Sequence, residues 1–310
     1  MKVLVAGGTG LAGSAIVRAY ERKGIAVSAI GRKNVDLLNR EETFKFIKIA
    51  KPDVIVDAAA RVGGIVANDT YPVEFLADNL RIQNNLLEAA FAADVEKFIF
   101  LGSSCIYPRD CDQPIKEEYL LTGPLEPTNS AYAIAKIAGI ELVNSFRKEY
   151  GRKWISLMPT NLYGPNDNFE LQGSHVLPAF IRRFIHAKKS NIQTEVLWGT
   201  GKPTREFLHV DDLAEAIVYF QDLYDSPEHL NIGSGREISI KDLAILVASA
   251  ADFGGNLEWD SSKPDGTPRK VLDSTKANKL GWQPKISLED GVASTIEWYL
   301  KQLDQGSLRL

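Results

Sequence analysis

The chain has 310 residues, with 36 basic and 40 acidic side chains for a net charge of −4, and 45 % of its residues are hydrophobic. That apolar content excludes a mainly disordered chain, and the slightly acidic balance without a long Lys/Arg run excludes a basic nucleic-acid binder. No stretch of about 18 apolar residues is present to span a membrane. Two cysteines, Cys105 and Cys111, are too few for a secreted disulfide framework, and Met1-Lys2 leads into Val3-Leu4-Val5-Ala6 without the apolar block of a signal peptide. A cytoplasmic protein is expected.

Short apolar runs alternate with helical patterns through the first half. The strands are predicted at Val3–Ala6, Val27–Ile30, Val54–Ala58, Phe98–Leu101 and Trp154–Met158. The helices between them are predicted at Leu11–Arg22, Thr43–Ala50, Asn79–Phe91 and Ala131–Glu149. Strand–helix alternation predicts a parallel sheet covered on both faces, and right-handed crossovers make it a doubly wound α/β Rossmann arrangement. The second half is less regular. It offers helices near Val176–His186, Ile238–Ala250 and Leu288–Leu303, a strand at Val196-Leu197, and a strand-then-helix pattern over Glu206–Tyr224. Lys263-Pro264-Asp265-Gly266-Thr267-Pro268 reads as a loop. The expected organisation is a cofactor domain over 1–164 with a return at 205–232, and a smaller α/β substrate domain from 165–204 and 233–310.

The turn Gly7-Gly8-Thr9-Gly10-Leu11-Ala12-Gly13 lies between the first strand and the first helix. Glycines there permit a tight turn and close helix approach, and the helix N-terminus presents free N–H groups to a pyrophosphate. The second strand ends in Gly31-Arg32-Lys33 where an acidic residue would bind a ribose 2′-hydroxyl. A base suits a 2′-phosphate, so NADP(H) is expected over NAD. Asp36-Leu37 follows, positioned for the adenine.

Of ten tyrosines, Tyr132 alone has a lysine four residues on, Lys136. Pro127-Thr128-Asn129-Ser130 caps a helix start, and the i,i+4 spacing puts both side chains on one face. A nearby ammonium is expected to lower the tyrosine pKa and make it a proton donor to a developing alkoxide. Upstream, Phe98-Ile99-Phe100-Leu101-Gly102-Ser103-Ser104 is a strand ending in two hydroxyls, at the end of a parallel sheet that faces the ligand crevice.

These residues, with Pro159-Thr160-Asn161-Leu162-Tyr163-Gly164-Pro165, resemble the extended short-chain dehydrogenase/reductase family. The resemblance implies a Rossmann domain with NAD(P), a Ser103/Tyr132/Lys136 triad and a smaller sugar-nucleotide domain. Further blocks narrow it: Gly102 to Pro108, Leu125 to Asn129, Tyr132 to Gly139, Asp167-Asn168-Phe169, Ser174-His175-Val176, Arg205 to Asp212, and Lys263 to Lys270. They are similar to the branch that carries GDP-4-keto-6-deoxy-D-mannose through epimerisation at C3 and C5 and reduction at C4 to GDP-L-fucose. A related colitose-forming enzyme, a plain 4-reductase, and a non-catalytic NADP-sensing protein are the alternative readings.

The branch resemblance assigns Cys105 as the epimerisation base and His175 as the acid. Both residue types suit proton transfer near neutral pH. It implies cofactor contacts from the glycine turn, Arg32, Asp36, Leu37, Leu101, Gly102, Ser104, Lys136, Pro159, Thr160, Asn161, Leu162 and His175. It implies GDP-sugar contacts from Arg183, Trp198, Arg205, Asp265 and Lys270, and a homodimer built on the helices at 79–91 and 131–149. Gly8-Thr9 stand where many members carry His-Arg, which puts more weight on Arg32. His186 and His229 read as solvated surface, His209 as a support for the Arg205 segment, and Cys111 as incidental. No cluster has zinc-site spacing, so no metal is expected.

Overall fold

The computed structural model describes residues 1–170, 173–263 and 265–308. Pro264, in the predicted 263–268 loop, lies outside them. The first half runs β1 (Lys2–Ala6), α1 (Leu11–Arg22), β2 (Ala26–Ile30), α2 (Arg40–Ala50), β3 (Val54–Asp57), α3 (Ile65–Thr70), α4 (Pro72–Ala92), β4 (Lys97–Leu101), α5 (Ser130–Tyr150) and β5 (Ile155–Pro159). It continues with β6 (Asn161–Tyr163), α6 (Val176–Lys189), β7 (Thr194–Trp198), β8 (Thr204–His209), α7 (Val210–Leu223), β9 (Leu230–Ile232) and β10 (Glu237–Ser239). The last elements are α8 (Ile240–Ala250), β11 (Asn256–Asp260), β12 (Arg269–Lys270), α9 (Thr275–Lys279) and α10 (Leu288–Asp304).

The large sheet is parallel throughout, in the order β2-β1-β3-β4-β5-β9. Successive strand residues point to opposite faces, so each strand feeds two cores. Val3, Val5, Val56, Ile99 and Leu157 face α1 and α7, whose Ile16, Ala19, Leu213, Ile217 and Phe220 complete the first core. Leu4, Ala6, Ile55, Phe98 and Phe100 face the other way, onto Ile47 of α2, Leu86 and Leu87 of α4, and Ile140 and Val143 of α5. This is the doubly wound arrangement that the strand–helix alternation predicts.

A third core joins α6, α8 and α10, through Leu177, Phe184, Leu243, Val247, Val292 and Ile296, to Tyr163 and Phe207. A small sheet lies beside it, with β10-β8-β12 in order and β6 also paired to β8. Thus β8 pairs in the small sheet, while α7 and β9 pack with the large one. The chain crosses at Pro159–Tyr163: β5 ends the large-sheet strand, and β6 begins pairing with β8 two residues later.

The pattern-based boundaries shift at several ends, and two of the shifts have a clear local cause. Helix α4 starts at Pro72, seven residues before the predicted Asn79, because proline is tolerated at the first helical position. Helix α8 starts at Ile240, because 237–239 is a strand and Ser239 accepts from the Asp242 N–H as the N-cap. No helix among the described residues is long and apolar enough to cross a membrane.

Candidate active site

The strand ends of the large sheet open on three groups of residues. The first is the glycine turn. Gly7 has φ +74°, and a Cβ there would lie 2.6 Å from the Ala58 oxygen. A Cβ on Gly13 would lie 2.1 Å from the Gly7 oxygen, so α1 rests directly on the turn. Gly8 donates to the Ile30 oxygen at 3.0 Å, which ties the turn to β2. Gly10 caps α1 without a side chain, and the first helical turn has no acidic residue. The N–H groups of Leu11, Ala12 and Gly13 therefore remain as donors at the positive end of the helix. That cradle fits a pyrophosphate. Arg32 and Lys33 follow β2 on the exposed surface. Exposed Asp36 accepts the Leu38 N–H, and half-buried Leu37 packs on the second core. The residues present fit NADP(H), with phosphate donors in the turn and cations beside the adenosine ribose.

The second group sits between β4 and α5. Lys136 is buried, and its Nζ donates to the Leu101 oxygen at 2.9 Å and lies 6.0 Å from the Tyr132 ring centroid. Ser103, just beyond β4, hydrogen-bonds Tyr132 and accepts the Cys105 N–H at 3.3 Å. Buried Ser104 opens a single 3-10 turn, Ser104–Ile106, which carries Cys105. The expected depression of the Tyr132 pKa is not what the structure gives. Burial, then electrostatic interaction with the Cys105 sulfur and the Asp57 carboxylate, pushes its phenol above the ordinary range, and the Ser103 bond only partly opposes them. Burial also lowers the Lys136 pKa. Tyr132 therefore holds its proton at neutral pH until a stronger base, such as an alkoxide, forms beside it.

The third group surrounds Cys105. Its half-buried sulfur receives Asn129 Nδ2 and Lys270 Nζ, each at 3.5 Å. Lys270 is on β12, whose register places it opposite Arg205 of β8. His175 is the N-cap of α6. Desolvation by the surrounding protein, then the Lys270 ammonium, pushes its imidazole below the ordinary range. Neutral imidazole results at pH 7, with one ring N–H that donates and one bare ring nitrogen that accepts.

The residues expected at the GDP end divide. Arg205 donates to the Thr204 oxygen and feels the Asp265 carboxylate. Asp265 accepts from the Thr200 N–H and hydroxyl, which fastens the 263–268 loop to the end of β7. Trp198 is 61 % exposed there, with Lys263 Nζ 5.6 Å from its ring. Arg183 is held on β7, the strand that ends in Trp198: its Nε and Nη2 donate to Glu195, at 3.0 and 2.6 Å, and Nη2 also donates to the Val196 oxygen. Among the described residues, that pairing leaves Nη1 without a hydrogen bond.

Glu206 was not singled out by the sequence. Fully buried beside Arg205, it accepts from the N–H groups of Leu272 and Gly235, at 2.9 and 2.6 Å. Its main-chain oxygen receives the side chains of Thr160 and Asn161. It thus joins the 159–162 segment to the strand that carries Lys270. Asn129 was missed as well, although its place just before Tyr132 at a helix start was a usable signal. His229 is a correction: it is buried, and its Nε2 lies 2.9 Å from the Tyr107 hydroxyl. Tyr107 gives its proton to Asn231 Oδ1 at 2.5 Å, so Nε2 is the donor to Tyr107. The bond braces the loop that carries Cys105. Burial, then Lys276, pushes the His229 pKa down to about 4. His209 is buried, and its Nδ1 accepts the Asp211 N–H at the start of α7. No group of three or more His, Cys, Asp or Glu side chains among the described residues is arranged to hold a metal ion.

The model of the NAD dependent epimerase/dehydratase family matches residues 3–233. The chain is 52 % identical to GDP-L-fucose synthase 1 of Arabidopsis thaliana, over 97 % of this chain and 94 % of that protein. It is 46 % identical to the GDP-L-fucose synthase of Escherichia coli K12, over 98 % of each. Among solved structures, a GDP-L-fucose synthetase from Naegleria fowleri bound to NADP superposes with a TM-score of 0.90 at 30 % identity, over 99 % of this chain and 96 % of that one.

Proposed function

The chain belongs to the NAD dependent epimerase/dehydratase family and within it to the GDP-L-fucose synthases, NADP(H)-dependent epimerase/reductases, and from that premise we propose how its own residues divide the work. The reaction converts GDP-4-keto-6-deoxy-D-mannose to GDP-L-fucose. The observation that carries this reading is the Cys105 sulfur, held by Lys270 and Asn129 two residues past the serine that binds Tyr132. A base for carbon acids and a proton donor for a ketone share one pocket.

The C4 ketone acidifies the protons on C3 and C5, because each carbanion is an enolate. Cys105 removes a proton from one face, and His175 returns one from the other, inverting the centre. The Lys270 ammonium and the Asn129 amide stabilise negative charge on sulfur while the proton is off. The glycine turn and Arg32 would hold NADPH, which when bound would supply the hydride for C4. Tyr132, its proton firmly held in the buried site, gives that proton to the C4 oxygen as it becomes an alkoxide. Ser103 holds the same oxygen, and Lys136 steadies the charge on Tyr132. Arg32 and Lys33 select the 2′-phosphate, and Arg205, Lys270, Trp198 and Asp265 hold the GDP-sugar. A plain 4-reductase has no use for the Cys105 and His175 pair, and a non-catalytic sensor has none for Tyr132 and Lys136.

Helices α4 and α5 lie side by side, and Ile134 of α5 remains 49 % exposed. We assign this face to a four-helix homodimer interface, and a monomer mass at micromolar concentration would refute it. Both cysteines are free thiols, which suits the reducing cytoplasm where we place the enzyme. Incubation with GDP-4-keto-6-deoxy-D-mannose and NADPH, with NMR of the product, tests the whole reading. GDP-L-fucose is expected, and an unepimerised 6-deoxy sugar as the sole product would overturn it.

A further inference from the structure

Asp57 ends β3 with no exposed surface, and the mechanism above leaves it without a task. Its register partners are Ala6 on β1 and Phe100 on β4, so it lies in the sheet face covered by α4 and α5. The Lys136 ammonium sits 4.7 Å from the centroid of that same Phe100 ring. One carboxylate oxygen, Oδ1, accepts the Ala59 N–H at 3.1 Å. The other, Oδ2, is buried with no hydrogen-bond partner among the described residues. The titratable groups that face Asp57 are Lys136 and Tyr132, both on α5. Helix α4, packed on the same sheet face, contributes the neutral amides Asn79 and Gln83. Arg61, in the loop after β3, turns its guanidinium to Asp78 instead.

A buried ammonium bonded to a single carbonyl oxygen is poorly compensated for the water it has lost. A carboxylate in the same dry pocket, with one oxygen free of other bonds, offsets that loss. We propose that Asp57 is a positioning residue for the reduction, the counter-charge that keeps Lys136 an ammonium so that Tyr132 can deliver its proton to the C4 oxygen. The inference rests on Tyr132 and Lys136 being the reductive pair. Burial pushes the Asp57 pKa up to about 6, against the pull of Lys136 and the Ala59 N–H. At neutral pH the group is therefore mostly ionised and able to serve. Lys136 shows the reciprocal effect, lowered by burial and raised by Asp57.

The test is Asp57→Asn, which keeps the acceptor for Ala59 and removes the charge. Without its counter-charge, Lys136 loses its proton at a lower pH. The alkaline limb of NADPH oxidation should move down by about one unit, a tenfold loss of rate on that limb. Solvent-deuterium exchange into the keto sugar, which uses Cys105 and His175, should keep its rate. An unmoved limb overturns the proposal, as does an equal fall of exchange and reduction, which would mean a structural role only. A second measurement needs no change at Asp57. In the protein labelled with carboxyl-13C aspartate, the Asp57 titration should rise in Lys136→Met, and an unchanged midpoint overturns the coupling. Failure of the unmodified enzyme to turn over the keto sugar would count against the proposed reaction, while the carboxyl titration would still decide the pairing.

Discussion

The halves of the pocket that we propose for reduction and for epimerisation are built by opposite means. Ser103, Tyr132 and Lys136 come from one strand end and one helix, and Lys136 and Asp57 lie in a dry layer between the sheet and α5. Cys105, Asn129, His175 and Lys270 come from four separate segments; Asn129 and Lys270 reach the half-buried sulfur, and His175 feels the same Lys270 ammonium. A proton donor benefits from burial, because desolvation keeps a phenol neutral until an alkoxide forms beside it. A carbon-acid base needs positive partners to steady the anion it must become. The sequence spacing follows from this: a helix places two groups a turn apart, whereas a cation beside a thiol must be brought by tertiary folding.

If the halves are separable, one change should silence each while the other persists. Tyr132→Phe removes the proton donor and leaves Cys105 with its partners. NADPH oxidation should fall by about a thousandfold, roughly 4 kcal/mol, while solvent deuterium still enters C3 or C5. Cys105→Ser should do the reverse, with exchange falling about as far and slow reduction of the unepimerised ketone surviving. Quenched-flow and NMR assays on the same keto sugar read both. Loss of both activities in either variant would mean that the pocket works as one unit.

Each half also rests on a buried group that titrates, and their signs oppose. Asp57 has a folded pKa of about 6, above its ordinary 3.8. Between those values the folded chain holds the proton more tightly, so this contribution to stability falls as pH rises, and is lost by about pH 6. His229, which braces the Cys105 loop through Tyr107, has a folded pKa of about 4, below its ordinary 6.5. There the unfolded chain binds the extra proton, so stability is full above about pH 6.5 and is lost as pH falls toward 4. Each contribution is on the order of 3 kcal/mol, and they largely cancel in the intact protein. In urea unfolding between pH 4 and 7, Asp57→Asn should leave a clear rise of stability with pH. His229→Gln should leave a fall. Parallel curves for all three proteins would refute both assignments.

How much of this was legible beforehand follows from where each group's partners lie in the chain. The glycine turn was legible because strand, turn and helix are contiguous. Tyr132 and Lys136 were legible because i,i+4 spacing is local. The sign of the Tyr132 shift was not, because it depends on burial and on Asp57 and Cys105, which belong to other elements. Asp57 did leave a trace: an acid closing the apolar run Val54-Ile55-Val56 at a strand end. The role we propose for it emerges only when α5 lays Lys136 across that face. Arg183 was read as a phosphate ligand because nothing in the sequence shows Glu195 engaging it first. His229 was read as surface because its partners, Tyr107 and Lys276, lie 122 residues before it and 47 after it. The short strands β6, β9, β10 and β12 have three residues or fewer and carry no periodicity to detect.

The smallest predicted effect tests whether tertiary assembly truly sets the epimerising half. Lys270 reaches Cys105 from 165 residues away, held on β12 by its pairing with β8 and by the Glu206 bond to Leu272. Lys270→Met keeps the length of the stem and removes the charge. If the ammonium steadies the sulfur anion, deuterium exchange should slow about tenfold, the loss expected for one charge-assisted bond in a half-buried site. Because Lys270 also faces the GDP-sugar, binding must be separated from chemistry by measuring exchange at saturating substrate. A loss confined to KM would assign Lys270 to the nucleotide alone and leave Asn129 as the sulfur's remaining donor. A loss in the saturated rate, with NADPH oxidation after epimerisation unaffected, would show that the reductive half is built locally and the epimerising half by the fold.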